Sequence, residues 1–529
     1  MSRDREALVD VALGNIPPDV VIQGGEIVNV LTHEIHRADI LIKGERIAAV
    51  SDVNDYRLGE NCRVIDATSQ IITPGFMDPH FHMESSSITV TELAKYIVPR
   101  GVTMVAEDPH EIANVLGMRG IELMFEEGRK APINFFLRVP GKVPAMESDI
   151  ETAGASLSIE ETNELLDWPE ALCLAGDINP KIIFNKDKNQ FNKFDITVGK
   201  RMTISGQSTG LRGRELDAFV AAGPEDSHAS RSFDEVWDIL RHGLKALITH
   251  RPYGWQGKDF EKLAELIRQK GLDTRNLLLC TDDTHANQLL KEGHLEYRMK
   301  LAIENGIDPI TVIQMATINV AQFFRIHHDF GSIAPGKYAD LVSLSNLESL
   351  NVDKVFVHGK QVAEDGNLIK KPPKFEYPQW ARETINLKRE PTPDDFKISC
   401  DKKGKVKVRV IVPGKPKETR VEELEIRDGV ILPDPSQSIA SIAVVERHKA
   451  TGNVGTGFVN IPFNKGAFAS SVSHDSHNIF VIGVNFDDMA IAANQVAINQ
   501  GGYVVVKDDR LVKELKNRLS NKINCRILY

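Results

Sequence analysis

Between residues 71 and 330 the chain repeats one pattern, a short apolar run leading into a polar loop and then an amphipathic stretch. The apolar runs are Thr103-Met-Val-Ala, Ala171-Leu-Cys-Leu-Ala, Arg201-Met-Thr-Ile, Ala246-Leu-Ile-Thr and Asn276-Leu-Leu-Leu-Cys. Residues 160–166, 233–241, 258–269 and 296–304 space their apolar side chains at helical intervals. Strand-then-helix repetition over some 250 residues restricts the fold class to α/β, either a (β/α)8 TIM-like barrel or a doubly wound sheet.

What flanks this region has a different period. Residues 19–23, 26–30, 38–42 and 46–50 are β-branched runs broken by Gly-Gly and Lys-Gly-Glu turns. Matching runs return at 339–344 and 355–362, so the two flanks are expected to form one discontinuous composite β-sandwich. The expected division is 1–70 and 331–371 for the two parts of the sandwich, with the barrel at 71–330 between them. Residues 372–395 are rich in proline and charge and read as a linker. Residues 396–529 return to alternating strands, with a helix at 487–499, and read as a C-terminal α+β domain.

The 529 residues carry 74 acidic against 64 basic side chains, a net charge of −10 that argues against a nucleic-acid partner. The five cysteines are far apart with no CxxC pair, which suits a reducing compartment and argues against a disulfide framework or zinc ribbon. The charged start, Met-Ser-Arg-Asp-Arg-Glu, lacks an apolar leader core, and no run of about 18 apolar residues is present to cross a membrane. The expectation is a cytoplasmic enzyme with a small-molecule substrate, forming a closed homo-oligomer as large barrel enzymes often do.

Two motifs carry chemistry. In Pro74-Gly-Phe-Met-Asp-Pro-His80-Phe-His82-Met-Glu84, histidines at i and i+2 of a strand point to one side and can reach one ion. Imidazole suits zinc, iron and manganese alike. The strand is the first of the barrel, and its C-terminal end is where such barrels place reacting groups. In Leu277-Leu-Leu-Cys-Thr-Asp282-Asp283-Thr-His285, an apolar strand ends in two carboxylates, which is costly unless they are paired, metal-bound or solvated. Neighbours on a strand face opposite ways, so one carboxylate is expected at a metal and the other at a substrate N–H. The competing reading of Asp283 is a helix N-cap.

Further motifs extend the set: Glu107-Asp108-Pro-His110-Glu111, Glu292-Gly-His294, Gln314-Met-Ala-Thr-Ile-Asn, Ile333-Ala-Pro-Gly-Lys-Tyr-Ala-Asp and Ala467-Phe-Ala-Ser-Ser-Val-Ser-His474-Asp475-Ser-His477-Asn478. In this order, with the two motifs above, they resemble the bacterial adenine deaminase family of the amidohydrolase superfamily over most of the chain. The resemblance implies a (β/α)8 barrel, a composite β-sandwich and an appended C-terminal domain. It also implies one or two divalent ions, manganese, iron or zinc, per chain. Carried over position by position, His80, His82 and His228 become metal ligands. Asp177 falls where the family has a metal-bridging glutamate, and Asp282 becomes ligand and proton shuttle. Glu84, His110 or Asp283 would hold the heterocycle edge. Gln207, Glu111, His250, Arg251 and His474 are expected near the substrate, with His474 and His477 bringing the C-terminal domain over the barrel mouth or forming a structural turn.

The chain departs from the family pattern at particular places. Gln207 replaces a ligand histidine, Asp177 is a methylene shorter than glutamate, Ser227-His228-Ala229 replaces Asp-His-Glu, and Ile248-Thr249-His250-Arg251 lacks an Arg-Glu-Gly pattern. The function expected is hydrolytic deamination of adenine to hypoxanthine and ammonia, with the metal lowering the pKa of water. The departures leave open another heterocycle or cyclic amide, such as a pterin, at an altered metal centre. A non-catalytic ligand-binding scaffold is the remaining alternative, and it predicts no bound metal.

Overall fold

The computed structural model describes residues 5–145, 150, 152–176, 178, 180–228, 230–250, 254–414 and 418–516. The central region is a parallel barrel. Its strands in chain order are Phe76–His82, Val102–Glu107, Asn134–Val139, Ala171–Leu174, Thr203–Ile204, Asp226–Ser227, Lys245–Ile248 and, in two pieces, Leu277–Leu279 and Asp282–Asp283. The fifth to first strands and the Asp282–Asp283 piece form one hydrogen-bonded arc, and the sixth, seventh and Leu277–Leu279 form another. The Glu225 N–H donates to the Ile204 carbonyl at 2.8 Å, bridging the arcs between the fifth and sixth strands. The split eighth strand bridges them on the other side: Leu277–Leu279 lies on the seventh strand, while Asp282 pairs with Phe81 and Asp283 with His82.

Strand periodicity then decides what lies inside. Met104 and Ala106 of the second strand, and Leu278 and Cys280 of the eighth, pack in one cluster with Met77, Leu172, Leu247, Phe323, Phe324 and Phe330. Alternate residues, Val105, Leu277 and Leu279 among them, instead join the larger cluster shared with the helices. Continuing each inward row by two residues reaches Asp108 and Asp282. The barrel is therefore filled with apolar side chains below, while its C-terminal mouth is lined by titratable ones.

The sandwich is composite, as expected. Leu341–Asn346 pairs antiparallel with Ile71–Pro74, so the segment after the barrel completes a seven-stranded sheet begun before it. Ile71–Pro74 thus belongs to the sandwich, and the barrel begins a few residues beyond the expected boundary. A four-stranded sheet of Arg46–Ser51, Asp39–Lys43, Val20–Gln23 and Arg63–Asp66 packs against it through Ile22, Ile40, Ile42, Ile72 and Phe356.

Residues 372–395 form a docked strap instead of a free linker. Phe375, Tyr377 and Ala381 join the barrel's outer cluster, while Ile385 joins the core of the C-terminal domain. The Tyr377 hydroxyl donates to the buried Glu127 carboxylate, which also accepts the N–H groups of Val90 and Thr91. Beyond the strap, a ten-stranded sheet packs the helix Phe486–Ile498 against it through Met489, Ala492, Ala493 and Val496. Asn485 caps that helix by accepting the Asp488 N–H. Among the described residues no helix is long and apolar enough to cross a membrane.

Candidate metal centre

The first and eighth strands meet at a triangle of ligand atoms. Nε2 of His80 lies 3.1 Å from Nε2 of His82, and Oδ1 of Asp282 lies 3.5 Å from the first and 3.6 Å from the second. Ligands held about 2.1 Å from one ion are separated by about 3.0–3.4 Å in octahedral or tetrahedral geometry, so the triangle fits a single divalent cation. All three side chains are buried.

Local hydrogen bonds and charges prepare the donors. His82 Nδ1 lies 3.0 Å from the Asp108 carbonyl, which can only accept, so the ring proton sits on Nδ1 and the Nε2 lone pair faces the triangle. Burial, followed by the nearby Arg138 cation, holds the His80 pKa well below its ordinary value and keeps that imidazole neutral. Arg138 is itself fully buried, donating to the Pro79 carbonyl at 2.6 Å and to Ser205 Oγ at 2.5 Å. Ser205 Oγ in turn donates to Asp226 at 2.9 Å, linking the third, fifth and sixth strands beneath the histidines.

Two more groups close on this triangle. The His228 ring centroid lies 4.1 Å from that of His80, and His80, His228 and Asp282 each bring a donor atom within 4.8 Å of the others. The same holds for His80, His82 and Asp108. The Asp108 carboxylate is fully buried, accepts no hydrogen bond among the described residues and has His110 Nδ1 3.5 Å away. A buried carboxylate in such a setting is stabilised by a nearby cation, and a divalent ion among these imidazoles supplies one. The residues therefore fit the group.

Asp282 has φ of 56°, a left-handed conformation for a residue with a side chain. This breaks the strand alternation at that point, and Asp282 and Asp283 both reach the His82 side, their donor atoms all lying within 4.8 Å. Asp283 is not the helix N-cap: His285 takes that position before Ala286–Lys291, while Asp283 accepts from Ser85 Oγ at 2.5 Å.

The other expected site residues fall as follows. Glu84 is buried with Oε1 accepting the Ile112 N–H at 2.9 Å, and it faces Glu107, whose pKa is raised well above normal by burial and by Glu84. Glu84, in the short helix Met83–Ser86 that follows the first strand, thus ties the helix His110–Leu116 to that turn through Oε1. His110 stands edge-on to His82 with ring centroids 4.9 Å apart, and Glu111 reaches both. His474 Nδ1 lies 2.6 Å from Glu111 Oε1, so the C-terminal domain does come down on the barrel mouth. Gln207 is half-buried between Gly206 and Ser208, whose N–H groups donate to Asp226 and Ser227. His250 is half-buried, with Nδ1 2.7 Å from the Trp255 carbonyl and its ring against Tyr297. Asp177 and Arg251 lie outside the described residues.

The sequence motifs assign no role to Asp108 or Asp78, and to His477 none beyond a place in the loop over the barrel mouth or in a turn. Asp108 was signalled by its place two residues beyond Ala106 on an inward row. The other two act through partners distant in the chain, which no local spacing marks.

Barrel, composite sandwich and a mouth lined with histidines and carboxylates define an amidohydrolase, and residues 71–177 and 238–362 match the Amidohydrolase family. Residues 416–519 match the Adenine deaminase C-terminal domain. The chain is 38% identical over 513 residues to adenine deaminase 3 of Rhizobium meliloti, covering 95% of this chain and 85% of that one. It is 39% identical over 511 residues to an adenine deaminase of Moorella thermoacetica, covering 96% and 85%. The chain belongs to the adenine deaminase family. Among solved structures, a dihydropyrimidinase from Brevibacillus agri is similar at 14% identity and a TM-score of 0.49, over 68% of this chain and 99% of that one.

Proposed function

We propose that this chain hydrolyses adenine to hypoxanthine and ammonia, using a divalent ion held by His80, His82 and Asp282 with His228 beside them. The single observation that carries the reading is the buried triangle of two imidazole nitrogens and one carboxylate oxygen, with edges of 3.1, 3.5 and 3.6 Å, in a member of this family. A divalent ion there lowers the pKa of water from 15.7 to about 7 in favourable cases.

The protein's own groups do the rest. Asp282 accepts a proton of the attacking water and passes it to the ring nitrogen or to the departing ammonia, a role worth roughly 10²–10⁴-fold in rate. His110 and Asp283 hold the heterocycle edge, with Glu111 and His474 behind them. The reading takes manganese, iron or zinc as the ion, one or two per chain, with Asp177 as the second site's carboxylate. It places the enzyme in the cytoplasm as a homo-oligomer, acting on a small heterocycle without nucleic-acid or membrane partners.

Gln207 favours a second reading, in which a changed fifth-strand group admits another aminated heterocycle or a cyclic amide such as a pterin. The test is ammonia release from adenine beside a panel of aminated heterocycles and a ring-opening assay. Adenine turnover that disappears in Asp282→Asn, with metal retained, supports the first reading. Turnover of a different heterocycle in its place supports the second, and full adenine activity in Asp282→Asn refutes the assignment of the base.

A further inference from the structure

A loop of the C-terminal domain, residues 471–478, joins the strands Ala467–Ser470 and Ile479–Gly483 and rests on the barrel mouth. His474 Nδ1 lies 2.6 Å from Glu111 Oε1 and His477 Nε2 lies 3.3 Å from Glu111 Oε2. Asp475 Oδ1 lies 3.7 Å from His110 Nε2, and Asn478 donates to the Thr152 carbonyl at 2.8 Å. The loop is held from behind by Arg447, fully buried, whose Nε donates to the His477 carbonyl and whose Nη1 donates to the Thr384 carbonyl at 3.1 Å.

Glu111, His474 and His477 are close enough to suggest a second cation site. The tautomer argues otherwise. His477 Nδ1 accepts the Ser473 N–H at 3.1 Å, so the neutral ring carries its proton on Nε2, the atom facing Glu111. A ligating histidine instead donates with the nitrogen that does not hold the metal. His477 therefore turns a buried N–H, and not a lone pair, toward Glu111 Oε2 at 3.3 Å, a polar contact that does not serve a cation.

From Glu111 the contacts continue into the metal centre. Its Oε1 lies 3.3 Å from Ser85 Oγ, and Ser85 Oγ donates to Asp283 Oδ1 at 2.5 Å. Asp283 N–H donates to Asp282 Oδ1 at 2.8 Å. A continuous set of polar contacts thus runs from the C-terminal domain to the eighth-strand carboxylates.

We infer that His477 is a positioning residue through which the C-terminal domain sets the orientation of Asp283, and with it Asp282, acting by way of Glu111 and Ser85. The kinetic part of the test rests on the proposed deaminase reading; the spectroscopic part does not.

The experiment uses the full chain with ¹⁵N-labelled histidine. Long-range ¹⁵N–¹H spectra are expected to show His477 as the Nε2–H tautomer, with that proton's resonance displaced by Glu111→Gln. In adenine turnover, His477→Ala is expected to lower kcat about tenfold, the scale seen for groups that orient catalytic ligands, with little change in KM. His477→Gln, which keeps an N–H near the Nε2 position, should recover most of it at an unchanged unfolding temperature. In a Ser85→Ala background, His477→Ala should cause no further loss. An Nδ1–H tautomer, an equal loss from Gln and Ala, or additive losses with Ser85→Ala would each overturn the inference. A wild-type chain that leaves adenine untouched while showing the Nε2–H tautomer and its dependence on Glu111 would refute the substrate and leave the positioning contact standing.

Discussion

Asp78 and Thr281 are joined twice across the first and eighth barrel strands. The Thr281 N–H donates to Asp78 Oδ1 at 3.3 Å, and the Thr281 hydroxyl donates to Asp78 Oδ2. Asp78 Oδ1 also accepts the His80 N–H at 3.2 Å, so one fully buried carboxylate fixes the backbone on which His80 and Asp282 stand. Asp78→Ala is therefore expected to weaken metal binding about 10–100-fold while the fold persists, as removal of groups behind a metal's ligands does. Metal titration of the apo-protein beside its far-ultraviolet circular dichroism checks this; unchanged affinity would show that the strands hold the ligands without Asp78.

The seat of the C-terminal domain should respond to acid. His448 is half-buried with Nε2 2.6 Å from the Ser476 carbonyl, and burial, followed by the Arg447 cation, lowers its pKa to about 3. The unfolded state takes up a proton near pH 6.5 that the folded state does not accept until about 3. By linkage, stability falls as pH drops through that window, with a slope of at most about 1.4 kcal/mol per pH unit from this group. His448→Gln, which can keep a donor toward the Ser476 carbonyl, should flatten that part of the stability curve. Denaturant unfolding from pH 7 to 4 for both proteins provides the comparison, and parallel curves would dismiss the effect.

The strap offers a stability test remote from the chemistry. Tyr377→Phe removes one donor to Glu127 but leaves the ring packed, and Val90, Thr91 and the Thr91 hydroxyl still serve that carboxylate. A loss of about 0.5–1.5 kcal/mol is expected, with adenine turnover unchanged at room temperature. A much larger loss, or altered kinetics, would mean that the strap also sets how the C-terminal domain meets the barrel.

How much of this was readable in the residues depends on the range of the interaction. His80 and His82 were legible because i, i+2 spacing on a strand guarantees a shared face; the end of an apolar run marked Asp282 and Asp283 together, and only the family resemblance separated Asp282 from its neighbour. The relation of Asp282 to Asp283 was not, because it turns on the backbone of Asp282 entering the left-handed region, where strand alternation no longer applies. Thr419–Arg427 went unread as a strand because Glu422, Glu423 and Glu425 break the apolar alternation on a half-exposed surface. Residues 372–395 looked like a linker because proline and charge outweighed Phe375 and Tyr377, whose burial depends on a barrel face formed far earlier in the chain. His477 was visible as a motif, but its orientation rests on the Ser473 N–H and on Glu111, and only the folded chain brings these together.

The central claim is that His80, His82 and Asp282 share a divalent ion, and elemental analysis of the chain purified without chelator tests it most directly. One to two equivalents of manganese, iron or zinc per chain are expected in the wild type, falling below about 0.2 when His80 and His82 are both replaced by alanine. A wild type with less than about 0.2 equivalents that takes up none of the three ions when they are supplied would contradict the account.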